Sequence, residues 1–160
     1  MSSQPIPAES PEALIERLAR AGRAAQRALA ALPDAGKAEA LHAAASALRE
    51  AEADILAANA QDIAAGEANG LTSAMLDRLR LDPARLAGIA DAVDQGARVP
   101  DPVGEVIDRS ERPNGLVLSR VRVPIGLIGI IYESRPNVTA DAAALCLRSG
   151  NAVLLRGGSE

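Results

Sequence analysis

Aromatic residues are almost absent from this sequence: Tyr132 is the single example, and there is no tryptophan or phenylalanine. Hydrophobic residues still make up 48% of the 160 residues, so alanine, leucine, isoleucine and valine must fill the core. A chain of this length can form one domain with its own core. We therefore expect an α/β fold with long, alanine-rich helices and a small parallel sheet.

The scarcity of other features excludes several classes of protein. The single cysteine, Cys146, excludes an intrachain disulfide framework and a cysteine-rich zinc site, and we expect no metal site. The net charge of −4, without a basic cluster, argues against nucleic-acid binding. The sequence shows neither a signal-peptide pattern nor an apolar run long enough to cross a bilayer. We expect a cytoplasmic protein with no nucleic-acid or membrane partner.

Helix signals dominate the first part of the chain. Residues 1–10 are expected to form a disordered tail, and residues 11–97 an all-helical region. Apolar residues recur at helical spacing, as at Leu14 and Leu18 in the first helix. Most predicted helix starts carry a capping side chain, a proline or both: Ser10 with Pro11, Asp34, Thr72 or Ser73, and Asp82 with Pro83.

A β-hairpin is predicted for residues 98–124. Its turn is Arg112-Pro113-Asn114-Gly115, which has typical turn composition. The strands are expected at residues 105–108 and 116–123.

One βαβ unit is predicted between residues 125 and 160. Ile125 to Ile131 is a continuous apolar run, which predicts a strand buried on both faces. Pro136 and Asn137 suit a helix start, with Asn137 as its capping residue, and Gly150 suits the helix end. The loop before this helix lies at the carboxyl end of a strand, where open α/β sheets bind ligands.

Two segments of this unit carry a specific resemblance. Residues 128–139, IGIIYESRPNVT, and residues 149–158, SGNAVLLRGG, are similar to γ-glutamyl phosphate reductases, which are also called glutamate-5-semialdehyde dehydrogenases. ANAQD at 58–62, MLDRL at 75–79 and DPVG at 101–104 also resemble this family, which belongs to the aldehyde dehydrogenase superfamily.

The resemblance implies an aldehyde-dehydrogenase-like fold. Its parts would be an N-terminal helical region, a β-hairpin arm for homo-oligomerisation and the first βαβ unit of a Rossmann-like parallel sheet. Members of the family are much longer, so we expect an amino-terminal portion, truncated within the nucleotide-binding domain that begins at residue 125.

The implied activity is NADPH-dependent reduction of γ-glutamyl phosphate to glutamate 5-semialdehyde and phosphate, in proline biosynthesis. The family uses a cysteine nucleophile, which is expected to lie outside this chain, so the fragment alone is expected to be inactive. The alternative is a non-catalytic helical and βαβ module that binds a nucleotide or a protein partner.

Asn137 has two interpretations. As a structural residue it would cap the helix that follows the loop. In aldehyde dehydrogenases a matching asparagine donates its side-chain amide to the developing oxyanion, so the resemblance implies a catalytic role.

Ser134 and Arg135 share this loop and are candidate substrate-binding residues. Arg135 is either a solvated loop charge or an anchor for an anionic substrate, because guanidinium groups bind carboxylate and phosphate well.

Arg156-Gly157-Gly158-Ser159 follows the second strand and is a candidate cofactor-binding segment. It is either a strand-to-helix turn capped by Ser159 or, by resemblance, part of the adenosine-ribose site. The glutamate of NAD-preferring relatives aligns with Ser159 or with Glu160. Arginine without a nearby acid favours a 2′-phosphate, and hence NADPH.

Two further residues are expected to be structural. Cys146 lies nine residues after Asn137 on the same predicted helix, roughly 13 Å along its axis, which is too far for a shared reaction centre. His42, the only histidine, lies in an alanine-rich helix, where we expect no partner for it.

Overall fold

The structure, a computed structural model, describes residues 9–158. The predicted tail therefore lies mostly outside the described residues. Along this part of the chain the elements are α1 (Pro11–Ala30), α2 (Asp34–Glu50), α3 (Glu52–Ala68), α4 (Ser73–Leu79), α5 (Pro83–Arg98), β1 (Val106–Glu111), β2 (Val117–Val121), β3 (Leu127–Ile131), α6 (Pro136–Arg148) and β4 (Ala152–Arg156). The expected succession of helices, hairpin and βαβ unit is confirmed. Within residues 9–158, no helix is both long and apolar enough to cross a membrane.

Side chains cap three of the helices as predicted. The hydroxyl of Ser10 accepts a hydrogen bond at the start of α1, Thr72 does so for α4, and the carboxylate of Asp82 does so for α5. The expectation for α2 was wrong, because Pro33 is its N-cap and Asp34 is already its first residue. The Asp34 carboxylate instead accepts a hydrogen bond from Arg148.

The core lies where α2, α5 and α6 meet. Its buried residues are small or aliphatic, as the composition required: Leu41, Ala45, Val93, Ala97 and Ala144. Helix α1 contributes none of them, although apolar residues recur along it at helical spacing. It lies against β3 and β4 instead, where its residues are at most half-buried.

The hairpin formed by β1 and β2 is antiparallel, and most of its strand residues are exposed to solvent. Every residue of β2 is exposed. Gly115 takes a φ of +82° in the turn, a conformation that favours glycine. The first strand extends three residues beyond its predicted end at residue 108.

The βαβ unit pairs β3 with β4 in parallel, and Ile131 is opposite Arg156. The prediction that β3 is buried on both faces was wrong, since Ile131 is 76% exposed and no residue of β3 is fully buried. The physical reason is that, among the described residues, this sheet has two strands and only α1 and α6 pack closely on it.

Buried charges connect the helices to the segment that precedes the hairpin. Lys37 is 1% exposed, and its Nζ lies 2.6 Å from the Oδ2 of Asp101. Burial alone would raise the pKa of Asp101, but hydrogen bonds from Lys37 and from the backbone amide of Val103 bring it below its usual range. Arg148, also buried, donates to the backbone carbonyl of Val99 and to Asp34.

Candidate functional site

The parallel pairing of β3 and β4 places two predicted segments at the same edge of the sheet. Both strands end there, so the loop at 132–135 and Gly157-Gly158 emerge side by side. The backbone amide of Tyr132 donates to the carbonyl of Arg156 at 3.1 Å, which joins the two segments directly. This edge is the carboxyl end of the strands, the expected position for a ligand.

The loop itself has a defined conformation. Ser134 is 7% exposed and has a φ of +47°, the left-handed region that residues with a side chain seldom adopt. The hydroxyl of Tyr132 lies 2.5 Å from that of Thr139, which connects the loop to α6. The position of this buried residue fixes the course of the loop at the carboxyl edge of the sheet.

Asn137 is not the helix cap. Arg135 occupies the N-cap position without a side-chain cap bond, Pro136 is the first residue of α6, and Asn137 is the second. The capping interpretation is therefore wrong, because proline takes the first position and moves Asn137 into the helix. Its side chain is exposed and donates one amide N–H to the Oδ2 of Asp141 at 3.0 Å. A carboxylate only accepts, so this bond orients the amide and leaves a second N–H for a ligand.

A cleft of about 520 Å³ lies beside Asn137, between α4, α5 and the start of α6. It is lined by four arginines, Arg78, Arg80, Arg85 and Arg135, and by two aspartates, Asp77 and Asp141. A second cleft, of about 620 Å³, lies along the loop and shares Arg78 and Arg135 with the first.

The four arginines differ in their partners. Arg85 donates to the carboxylate of Asp77 and to the backbone carbonyl of Arg80. The hydrogen bond with Asp77 raises the pKa of Arg85. In residues 9–158 no ion pair engages Arg78, Arg80 or Arg135, so these three guanidinium groups are available to an anion.

Arg78 and Arg80 were not predicted as site residues from the sequence. Arg78 lies within the MLDRL segment that supported the resemblance, but no role was derived for it. A signal was present in the spacing, because three arginines fall between residues 78 and 85. The sequence does not show that this segment lies close to the loop at 132–135 in the folded chain.

The cofactor candidates lie on the adjacent strand. Arg156 ends β4 and is exposed, as are Gly157 and Gly158. A side chain added at Gly157 would meet no atom of residues 9–158 within 4 Å. Ser159 and Glu160 lie outside the described residues.

Cys146 and His42 lie away from this edge. Cys146 is buried on α6, and burial raises the pKa of its thiol, which disfavours the reactive thiolate. His42 does have a partner, contrary to expectation: its Nδ1 lies 2.6 Å from the Oδ1 of Asp94 on α5. This contact lowers the pKa of Asp94 and connects α2 with α5.

Over its whole length the chain is similar to part of known γ-glutamyl phosphate reductases. No protein-family model matches the chain. A γ-glutamyl phosphate reductase of Novosphingobium aromaticivorans is 69% identical over the whole chain, and one of Zymomonas mobilis is 57% identical over the same span. The chain covers 38% and 37% of these relatives. It corresponds to the amino-terminal portion of γ-glutamyl phosphate reductases. The predicted resemblance is confirmed, and the non-catalytic module is not favoured.

Solved structures agree with this assignment. The γ-glutamyl phosphate reductase of Thermotoga maritima matches 91% of the chain with a TM-score of 0.86 and 44% identity. That of Saccharomyces cerevisiae matches 94% with a TM-score of 0.87 and 32% identity. A benzaldehyde dehydrogenase from Corynebacterium glutamicum, described as NAD-dependent, has a TM-score of 0.71 at 23% identity. At this identity the match supports the aldehyde dehydrogenase fold and nothing about function.

Proposed function

We propose that this chain, within a protein of its relatives' full length, takes part in reducing γ-glutamyl phosphate with NADPH. The products would be glutamate 5-semialdehyde and phosphate, in a cytoplasmic step of proline biosynthesis. The observation that carries the proposal is the 69% identity over the whole chain to a γ-glutamyl phosphate reductase. Because the chain spans little more than a third of that relative, the activity belongs to the full-length protein.

Asn137 is the proposed oxyanion donor. Its exposed amide at the cleft has one N–H held by Asp141 and one free to donate. Attack on the acyl carbon gathers negative charge on the carbonyl oxygen, and a neutral donor stabilises that charge as it forms. The bond to Asp141 orients the amide before reaction, so little reorganisation is needed in the transition state.

Ser134 and Arg135 are the proposed substrate-binding residues. Arg135 is exposed and free of ion pairs among the described residues, and it lines both clefts. The substrate carries a carboxylate and a phosphate, and guanidinium binds either by paired hydrogen bonds. Ser134, two residues before the start of α6, fixes the course of the loop that carries Arg135.

Arg156, with Gly157, Gly158 and Ser159, is the proposed cofactor-binding segment. The exposed guanidinium at the end of β4 has the chemistry to bind a 2′-phosphate, which supports NADPH. Exposed backbone at Gly157 leaves room for a ligand. When bound, the cofactor supplies the hydride.

The nucleophile is proposed to be a cysteine outside this chain. Its thiolate would attack the acyl carbon and displace phosphate, and the resulting thioester would then be reduced. Cys146 does not fit this role, because it is buried and its pKa is raised. We accordingly propose that residues 1–160 alone are inactive.

The β1–β2 hairpin is the proposed oligomerisation arm. All of β2 is exposed, including Val117, Leu118 and Val121. Exposed apolar residues on a two-stranded ribbon support contact with a second subunit.

The test is a reverse assay on the full-length protein. With glutamate 5-semialdehyde and NADP, we expect NADPH to form only when inorganic phosphate is present. Omitting phosphate is the matched control. Oxidation of the aldehyde without any need for phosphate would contradict the proposal and indicate an ordinary aldehyde dehydrogenase.

A further inference from the structure

We propose that Arg78 is a phosphate-binding residue, which together with Arg135 holds the phosphoryl group of the substrate. The inference rests on the proposed function, and it adds a residue from the helical region to the site. Arg78 and Arg135 are 57 positions apart in sequence. They are nevertheless the two cations that line both clefts at the edge of the sheet.

The surroundings of Arg78 leave its charge available. The adjacent Asp77 carboxylate accepts from Arg85, and Asp141 accepts from Asn137. Both aspartates of the first cleft are therefore engaged by other donors. Glu133 is the acid that lines the second cleft, and no ion pair joins it to Arg78 within residues 9–158.

The backbone around Arg78 is well held, although its side chain is exposed. The next residue, Leu79, is buried at 6% exposure. The buried side chain of Asn59 on α3 donates to the carbonyl of Leu79 at 2.8 Å and accepts from the amide of Leu81 at 2.7 Å. An exposed guanidinium on a fixed backbone suits a binding residue, because less freedom is lost when the ligand arrives.

The phosphate, not the carboxylate, is the group that fits this position. If the Asn137 amide donates to the acyl oxygen, the phosphorus lies two bonds from the acyl carbon. The α-carboxylate carbon is four bonds away, on the far side of a flexible chain. We therefore expect the phosphoryl group, rather than the carboxylate, to be the anionic group nearest the cations that share a cleft with Asn137. A phosphate dianion also has enough charge and acceptor oxygens for two guanidinium groups, whereas one bidentate arginine can satisfy a carboxylate.

The reverse assay separates the two substrates' contributions, because phosphate and glutamate 5-semialdehyde are added independently. For Arg78→Ala we expect the KM for phosphate to rise by about 10- to 100-fold, as loss of a charge-assisted hydrogen bond predicts. The KM for the semialdehyde should change little. Arg78→Lys keeps the charge but loses the paired hydrogen bonds of the guanidinium group. Its KM for phosphate should therefore lie between that of Arg78→Ala and that of the parent.

Arg27→Ala is the matched control. Arg27 is an exposed arginine in the last turn of α1 and lines neither cleft. It tests whether loss of any surface charge weakens phosphate binding. Equal increases in the KM for phosphate in both alanine variants would overturn the proposal, as would an increase for the semialdehyde alone.

Calorimetric titration of the full-length protein with inorganic phosphate gives a readout that does not need turnover. We expect phosphate to bind more weakly to Arg78→Ala than to the parent or to Arg27→Ala. If the parent lacked reductase activity, the proposed function would fail, while this titration would still decide the role of Arg78. Unchanged phosphate affinity in a folded Arg78→Ala protein would refute it.

Discussion

Two sets of charged residues in this chain have opposite arrangements. At the junction of α2 and α6, Lys37 and Arg148 are buried and paired, Lys37 with Asp101 and Arg148 with Asp34. At the edge of the parallel sheet, Arg78, Arg135 and Arg156 are exposed, and no ion pair holds them within residues 9–158.

The difference separates charges that hold the fold from charges that can bind a ligand. A buried ion must keep its partner, because an unpaired charge in the interior costs several kcal/mol. An exposed arginine remains hydrated and can exchange water for an anion. Substitutions in the first set should therefore change stability, and those in the second should change kinetics.

The largest expected effect is at the sheet edge. Asn137→Ala in the full-length protein should reduce kcat by about 10² to 10³, because removal of one oxyanion donor has that typical cost. Stability should change by no more than about 0.5 kcal/mol, since the side chain is exposed and is not a cap. Steady-state kinetics and thermal denaturation measure the two quantities.

Asn137→Asp and Asp141→Ala complete this test. The aspartate variant replaces a donor with a negative charge that faces both the oxyanion and Asp141, so it should be at least as inactive. Asp141→Ala keeps the amide and should lose less activity. Near-normal turnover in Asn137→Asp would leave Asn137 without a catalytic role.

The next largest effect is a loss of stability when the buried ion pair of Lys37 and Asp101 is broken. Asp101→Ala leaves Lys37 charged at 1% exposure without its partner, which should destabilise the protein by about 3–5 kcal/mol. Asp91→Ala is the matched control, because Asp91 and its partner Arg49 are both exposed, at 63% and 43%, and this pair should contribute at most about 1 kcal/mol. Urea denaturation of the full-length variants would compare them, and equal losses would contradict the distinction.

The pH dependence sharpens this comparison. The pKa of Asp101 is lower in the folded protein than its unfolded value of about 3.9. Its contribution to the free energy of unfolding is therefore complete above that value and is lost as pH falls through the lower folded pKa. Asp101→Ala should lack this component of the acid-induced loss of stability.

A smaller effect is expected on cofactor binding when Arg156 is replaced. Arg156→Gln should raise the KM for NADPH by about 10-fold, the loss of one charge-assisted contact. The KM for NADH should change much less, because NADH has no 2′-phosphate. Stability should stay within about 0.5 kcal/mol of the parent, since Arg156 is exposed. Equal changes for both cofactors would assign Arg156 to the loop and not to the 2′-phosphate.

The smallest effect is expected for Cys146→Ser. The cysteine is buried and its burial raises the thiol pKa, so the hydroxyl should cost about 1 kcal/mol of stability. Turnover should remain within about twofold of the parent, because α6 holds this residue roughly 13 Å from Asn137 along its axis. Complete loss of turnover in a normally folded variant would show that this assignment is wrong.

The sequence alone determined the local structure. Capping side chains and prolines act within a few residues, and they located the starts of α1, α4 and α5 correctly. Turn composition identified the hairpin, and the motif around residues 128–139 identified the family. The error at Asn137 was also local, since Pro136 at the first helical position moves the asparagine inside the helix.

Tertiary structure alone decided which charges meet. Arg148 and Asp34 are 114 positions apart, Lys37 and Asp101 are 64 apart, and His42 and Asp94 are 52 apart. Arg78 and Arg135 come to one cleft because α4 is held beside the start of α6. Local propensities extend over one or two turns, whereas these pairings depend on how whole helices pack. The sequence therefore predicted the elements and the family, and the fold determined which arginines are paired and which remain free for a ligand.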